Sequence, residues 1–430
     1  MNASHLVMLT EMKGSRGTLW YLSVPPALAK TLGLAKSETV AVRMGSVETW
    51  HLKLNPRNGR PGIQIPVRIR KTESKGFVLG PWIAILTSGR KGTFGGNRRN
   101  FSDIAETGRR RHAAIIVVTP NGLIKSERRI DGFVRWRNQW HRAVLPVPAV
   151  IYNRIPERSI ERRADTREAK AWLRGKSKIL FNPGFFRKDH IHEWCNAHPM
   201  LGDMLPETAK LNGTAQLTEW IRKFALLYVK PVSGKAGHRM MQIFHTNDTV
   251  VLIHQANGKR SRHSFSSIQD AVEACWKFCI GRTYVIQQGI TLAKYKGCIY
   301  DLRVLVQKNR LGKWRVTGIG ARVAAEDGIT THVPNGGSIA SVTNVLRESF
   351  GSRARDIEER VRTVAITCAS QIEKSLTGEV AELSIDIGVD QMGSLWIFEV
   401  NAKPMKFDEP YIRHRSLEGL VDFSEGIYGF

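Results

Sequence analysis

Near the end of the chain, two apolar stretches joined by a short turn both carry oxygen-bearing side chains. Asp386 interrupts Leu383-Ser-Ile-Asp-Ile387. Glu399 and Asn401 interrupt Trp396-Ile-Phe-Glu-Val-Asn401, and Gln391-Met-Gly-Ser394 supplies the turn. On a strand, positions 399 and 401 point to one face. A carboxylate flanked by Ile397, Phe398 and Val400 is costly unless a cation partners it. Two carboxylates and an amide oxygen on adjacent strands form a set of hard oxygen ligands suited to Mg²⁺, with phosphates and water completing the shell. The competing arrangement is an edge strand with its polar residues in solvent. Asp386 and the following Lys403-Pro404 weigh against it. Just upstream, Ile357, Val361, Val364, Cys368 and Ile372 recur at helical spacing, which predicts a helix over 355–376 packed against this strand pair.

Further upstream, Leu227-Tyr-Val-Lys-Pro-Val-Ser-Gly-Lys-Ala-Gly237 sets Lys230 in an apolar strand ahead of a loop containing Gly234 and Gly237. Glycines let backbone N–H groups approach an anion, so a lysine beside such a loop suits a phosphate. The lysine precedes the glycines, so this is not a Walker A loop. Tyr284-Val-Ile-Gln-Gln-Gly-Ile290 reads as a strand ending in a flexible dipeptide, whose extended backbone can meet an adenine edge. Asp301 and Arg303 share one face of the next strand, and Arg322 lies on another. An arginine fork facing a cleft clamps phosphate or carboxylate, and a purely structural Asp–Arg pair is the alternative. Asn335-Gly-Gly337 reads as a loop able to approach a substrate.

The 430-residue chain as a whole is globular in balance, at 42% hydrophobic and 24% charged. The opening MNASHLVMLTEMKGSRG has no apolar h-region, and no apolar run is long enough to span a bilayer. A cytoplasmic protein is the expectation, with no membrane span. Five cysteines without a CxxC pair argue against a disulfide framework or a zinc site, and Cys275 and Cys279 read as buried thiols one helical turn apart. The net charge of +27 calls for an acidic partner, yet no nucleic-acid-binding motif is present. Arg109-Arg110-Arg111 reads as a solvated face. Residues 1–75 read as a small β-rich module ending in the polar segment 71–76. Residues 77–180 read as an α/β layer, with a helix from Phe101 to Arg111. Residues 181–430 read as α+β, including a helix from Leu217 to Leu227.

Taken in order, Lys188, Lys230-Pro with its glycine loop, Gln287-Gln288, Asp301-x-Arg303, Arg322, Asp386 and Glu399-x-Asn401 resemble the ATP-grasp superfamily. More closely, the chain resembles the YheC/YheD endospore coat-associated proteins. The matching phrases include Leu79-Gly-Pro-Trp-Ile-Ala-Ile-Leu86, Ile151-Tyr-Asn-Arg-Ile155, Phe181-Asn-Pro-Gly-Phe-Phe186, Tyr300-Asp-Leu-Arg-Val304 and Ile385-Asp-Ile-Gly-Val-Asp390. The resemblance implies an ATP-grasp module preceded by a small α/β pre-ATP-grasp domain and the β-rich N-terminal module. It implies that Lys188 and Lys230 contact ATP, and that Ser233, Gly234 and Gly237 form a lid over the phosphates. Gln287, Gln288 and Ile290 would meet the adenine, and Asp386, Glu399 and Asn401 would hold Mg²⁺. Arg303 and Arg322 would act on the transferring phosphoryl group. Lys235 and His238 make the lid bulkier than is usual in the superfamily, and Thr291-Leu-Ala-Lys294 offers no ribose carboxylate.

The activity implied is an ATP-dependent carboxylate–amine ligase working through an acyl-phosphate. The alternatives are an ATP-grasp kinase on a small hydroxylated substrate and a nucleotide-binding coat protein without turnover. The acceptor expected is a small molecule or an acidic peptide or protein, with spore-coat proteins as further partners and the spore coat as an alternative location.

Overall fold

The computed structural model describes residues 4–14, 17–45, 48–55, 61–73, 76–232, 239–246, 248–256, 259–326, 328–331 and 336–430. Ser4–Gly14, Gly17–Ser23, Thr39–Met44, Glu48–Leu54, Pro61–Lys71 and Phe77–Gly80 close into a six-stranded barrel. Alternation drives this: Thr39–Met44 is exposed and buried by turns, with Val40, Val42 and Met44 inward. The polar segment at 71–76 connects the last two barrel strands, where Thr72 N donates to Gly76 O at 2.8 Å.

A second sheet follows. Trp82–Leu86, Ala114–Val118, Val150–Asn153 and Ile179–Phe181 run parallel, and an antiparallel arm adds Arg129–Trp136 and Gln139–Pro146. Trp82–Leu86 and Ala114–Val118 are buried throughout, as parallel strands covered on both faces must be. The helix beside them spans Arg98–Arg110. It starts earlier than its apolar pattern suggests because the Asn97 side chain accepts from Asn100 N and caps it.

Two antiparallel sheets build the rest. In the first, Leu226–Pro231 lies between Tyr284–Gln288 and Met240–Thr246, with Thr249–Ala256 and Lys259–Phe265 beyond. The helix read through Leu227 ends at Lys223. Phe224 is extended, and Leu227 and Val229 alternate inward on the strand that follows. In the second, the order is Ser338–Ala340, Trp314–Val323, Cys298–Lys308, Glu382–Val389, Leu395–Asn401. Helix Ala354–Ser375 buries Ile357, Val361, Val364, Cys368 and Ile372 on one face of that sheet. Helix Pro410–Tyr428 lies over the other face. There Ile412 meets Leu305 and Phe407, and Leu420, Val421, Phe423 and Tyr428 join the core shared by the barrel and the parallel sheet. The segment 289–293 bridges the two antiparallel sheets, with Ala293 N donating to Val389 O at 2.9 Å. Among the described residues, no helix is long and apolar enough to cross a membrane.

Candidate functional site

Cross-strand register collects the charged residues on one sheet face. Arg303 stands opposite Gly320 and Asp386. Asp301 stands opposite Arg322 and Gly388. Asp386 stands opposite Glu399, and Ser384 opposite Asn401. Because alternate residues share a face, Tyr300, Leu302, Val304, Ile385 and Ile387 fill the core on the other side. The ladder shifts register between Asp386 and Ile387, which leaves Phe398 as an extra residue before Glu399.

Asp301, Arg322 and Asp386 form a buried ionic triad. Arg322 Nε and Nη2 donate to the two Asp301 oxygens at 2.8 and 2.7 Å, and Nη2 lies 2.9 Å from Asp386 Oδ2. Thr331 Oγ1 donates to Asp301 Oδ2 at 2.7 Å. Burial works against the charge on Arg322, yet Asp386 and Asp301 raise its pKa above the ordinary arginine value. The structural partner of Asp301 is therefore Arg322, across the strands, and not Arg303 on its own strand. Arg303 instead lies over the Phe407 ring at 5.3 Å, with Nε 4.0 Å from Asp386 Oδ1.

Among the described residues, the buried atoms Asp386 Oδ1, Arg303 Nε and Ser384 Oγ on this face have no hydrogen-bond partner. A buried carboxylate oxygen without a donor is expensive, and a cation removes that cost. Asp386 Oδ1, with Glu399 beside it and Asn401 on the same strand, therefore fits a hard divalent ion. Among the described residues, no group of three or more Asp, Glu, His or Cys side chains is placed to hold a metal. A Mg²⁺ here would depend on the Asn401 amide, phosphates and water for its remaining ligands.

On the neighbouring sheet, Lys230 Nζ donates to Gln287 Oε1 at 2.6 Å and lies 5.0 Å from the centre of the Tyr228 ring. Gln287 Nε2 in turn donates to Thr208 Oγ1 at 2.9 Å. Gln288 N donates to Glu207 O at 2.8 Å, so this N–H is already engaged within the sheet. Gly289 follows because a Cβ there would fall 2.2 Å from Leu226 Cγ. Ile290 is buried at the bridge between the sheets. Lys188 is the first residue of helix Lys188–Asn196. The side chain of Lys188, the lid residues Ser233, Gly234 and Gly237, and Asn335 lie outside the described residues.

Three features escaped sequence reasoning. Glu409 precedes helix Pro410–Tyr428 and lays its carboxylate on Gly320, where a Cβ would fall 2.0 Å from Oε1. Burial, with Asp408, raises its pKa, while Arg303 and Arg322 pull it back. A glycine inside an otherwise regular strand was the available signal for such close approach. Lys403 Nζ reaches Glu161 Oε1 at 2.9 Å, Ile155 O at 3.1 Å and Asn153 Oδ1 at 3.3 Å. Its pKa is drawn down to about 8 by burial, against the pull of Glu161. Asp390 accepts from Met392 N, Ser394 N and Trp396 Nε1 at 2.8–3.0 Å and so organises the turn between strands Glu382–Val389 and Leu395–Asn401. Nor is Arg111 merely solvated: it pairs with Glu418 and Glu425.

A family model described as "YheC/D like ATP-grasp" matches residues 177–425. The chain belongs to this ATP-grasp family. The ATP-grasp chain is 28% identical to the endospore coat-associated protein YheD of Bacillus subtilis (strain 168) over 350 residues, 78% of this chain and 76% of that one. It is 22% identical to YheC of the same organism over 273 residues, 62% of this chain and 73% of that one. Among solved structures, D-alanyl-alanine synthetase A from Vibrio cholerae O1 biovar eltor str. N16961 superposes with a TM-score of 0.46 at 14% identity, covering 81% of this chain and 96% of that one. The mixed α and β architecture is that of an ATP-grasp protein, and the strands that carry Asp386, Glu399 and Asn401 lie inside the matched region.

Proposed function

We propose that this ATP-grasp chain is an ATP-dependent carboxylate–amine ligase. The observation that carries the reading is the Asp301–Arg322–Asp386 triad, with one Asp386 oxygen committed to Arg322 and the other, 4.0 Å from Arg303 Nε and beside Glu399, without a hydrogen-bond donor among the described residues. Such a centre combines fixed cationic donors with anionic ligands on one rigid sheet face, as phosphoryl transfer requires. In the reaction proposed, a substrate carboxylate takes the γ-phosphoryl group of ATP, and an amine then displaces phosphate from the acyl carbon.

Asp386, Glu399 and Asn401 are the proposed metal ligands, and Mg²⁺ bound there would neutralise phosphate charge. Arg303 and Arg322 would hold the anionic oxygens of phosphoryl group and carboxylate in fixed fork geometry. Lys188 and Lys230 would contact the nucleotide, Ser233, Gly234 and Gly237 would cover its phosphates, and Gln287, Gln288 and Ile290 would border the adenine. The unpartnered Arg303 Nε is available for such an oxygen. Water exclusion by helix Pro410–Tyr428 would strengthen each of these interactions.

The curated relatives are named for the endospore coat, so coat association in a spore former is part of the proposal. The net charge of +27 supports an acidic acceptor, drawn from solution by the positive field. The test is ADP formation with Mg·ATP across acids and amines offered singly and together. The ligase reading predicts an amide product, with phosphate and ADP in equal amounts, only when both are present. A stable phosphorylated product, or ADP release that no acceptor stimulates, would refute it.

A further inference from the structure

Beside the triad, the sheet opens into a cleft of about 460 Å³. Gly318 and Ile319 form its floor, Ser341 and Thr343 one wall, and Glu409 and Tyr411 the other. Tyr411 is 57% exposed, and its hydroxyl donates to Ile319 O at 3.2 Å, so it stands at the rim. Glu409 belongs to both places. It lines the cleft, and it also lies on Gly320, the cross-strand partner of Arg303.

We propose that this cleft binds the amine substrate as its ammonium ion, with the Glu409 carboxylate receiving the charged nitrogen and taking the proton it loses as it attacks the acyl carbon and phosphate leaves. The inference rests on the ligase reading and assigns the amine half of that site. Glu409 occupies the N-cap position of helix Pro410–Tyr428 without a side-chain capping bond, and its carboxylate accepts from its own backbone N–H within reach of Arg303 and Arg322. Gly320 leaves room for this placement, since a Cβ there would push the carboxylate aside. That position lies within the electrostatic reach of Arg303 and Arg322, where the acyl carbon of an activated substrate would have to sit.

The charges around the cleft point the same way. In a chain of net charge +27, an ordinary wall would be basic. Here Glu358, Asp408 and Glu409 face Arg362 and Arg415, and Arg362 is already paired with Glu358 at 2.5 Å. A cation therefore gains at Glu409 what an anion gains at the arginines. The two substrates meet at Gly320 with opposite charge, and the anionic and cationic ends are sorted before reaction.

The test uses glycinamide as the cationic probe and N-acetylglycinamide as its neutral counterpart, with binding followed by saturation-transfer NMR on the full chain. Wild-type protein should bind glycinamide and not the acetylated form. Glu409→Gln should weaken glycinamide at least roughly fivefold, about 1 kcal/mol at RT of 0.59 kcal/mol, and Glu409→Asp should recover part of the loss. Binding of Mg·ADP, measured on the same samples, should be unchanged in both variants and confirms that they fold. Equal binding of the two probes, glycinamide binding that survives Glu409→Gln, or no glycinamide binding to wild type would each overturn the inference. Failure of Mg·ADP to bind wild type would instead strike the ligase reading and leave the Glu409 result standing by itself.

Discussion

Asp386 keeps one carboxylate oxygen on Arg322 and, among the described residues, leaves the other without a hydrogen-bond donor, and the proposed metal role rests on that asymmetry. Asp390, four residues on, is the opposite case, since both its oxygens accept hydrogen bonds from the turn. The two carboxylates should therefore respond differently to loss of charge in their strand pair. Glu399→Gln should weaken Mg·ADP by at least about tenfold with little change in melting temperature, since loss of even an outer-shell partner costs 10–100-fold. Asp390→Asn should leave Mg·ADP binding intact and cost about 0.5–1.5 kcal/mol of stability, the scale of a lost hydrogen bond outside the core. Titration calorimetry and denaturant melts on both variants check the pair; an exchange of the two phenotypes would misplace the ligands. Asp386, Glu399 and Asn401 were legible as candidates because charge inside an apolar strand is visible in sequence. The partner of Asp301 was not legible, because strand register joins residues 21 positions apart through a ladder that no local pattern encodes.

At the scale of elements, the loop leaving the ligand strand is anchored by Lys403, whose ammonium is enclosed by Glu161, Asn153 and Ile155. Its pKa of about 8 lies below the ordinary lysine value of 10.5. Between those limits the unfolded chain binds this proton more tightly, so the lysine's contribution to stability rises with pH from about 8 to 10.5 and is flat below 8. Glu161 acts at the other end of the scale: despite the burial that opposes it, Lys403 lowers its pKa below 4.5, so its contribution holds above that value and is lost as pH falls. The stability difference between wild type and Lys403→Met, taken by denaturant melts from pH 7.5 to 10.5, should therefore shift in favour of wild type as pH rises. A difference independent of pH would mean the lysine titrates normally. Element boundaries were legible where one period prevailed. The long helix at 354–375 lies within one residue of its expected range. Leu217 to Leu227 failed because Leu226 and Leu227 continue a helical apolar stripe and equally begin a buried strand; only pairing with Phe244 and Ile243 decides between them.

Across the whole molecule, Glu425 joins three parts of the chain. Its fully buried carboxylate receives Arg68 from the barrel, Arg111 from the end of the parallel-sheet helix and Arg310 from the hairpin of the ligand-bearing sheet. Without the Glu425 charge, Arg111 keeps Glu418 and Arg310 keeps Asp422, so the cost is that of lost hydrogen bonds to a charged group, about 1.5–3 kcal/mol. Glu425→Gln should therefore lower unfolding free energy by about that amount; a loss below about 1 kcal/mol would mean that the barrel is held by apolar packing alone. No sequence pattern reveals this junction, because its members span residues 68 to 425. The central claim concerns the sheet face between these parts: it binds nucleotide through a metal held by Asp386, Glu399 and Asn401. Calorimetric titration of ADP into wild type and Glu399→Gln, each with Mg²⁺ and with chelator, tests it most directly. The account predicts heat of binding for wild type with Mg²⁺ and a large loss both on chelation and in the variant. Binding of equal strength in all four titrations, or none in any, would contradict it.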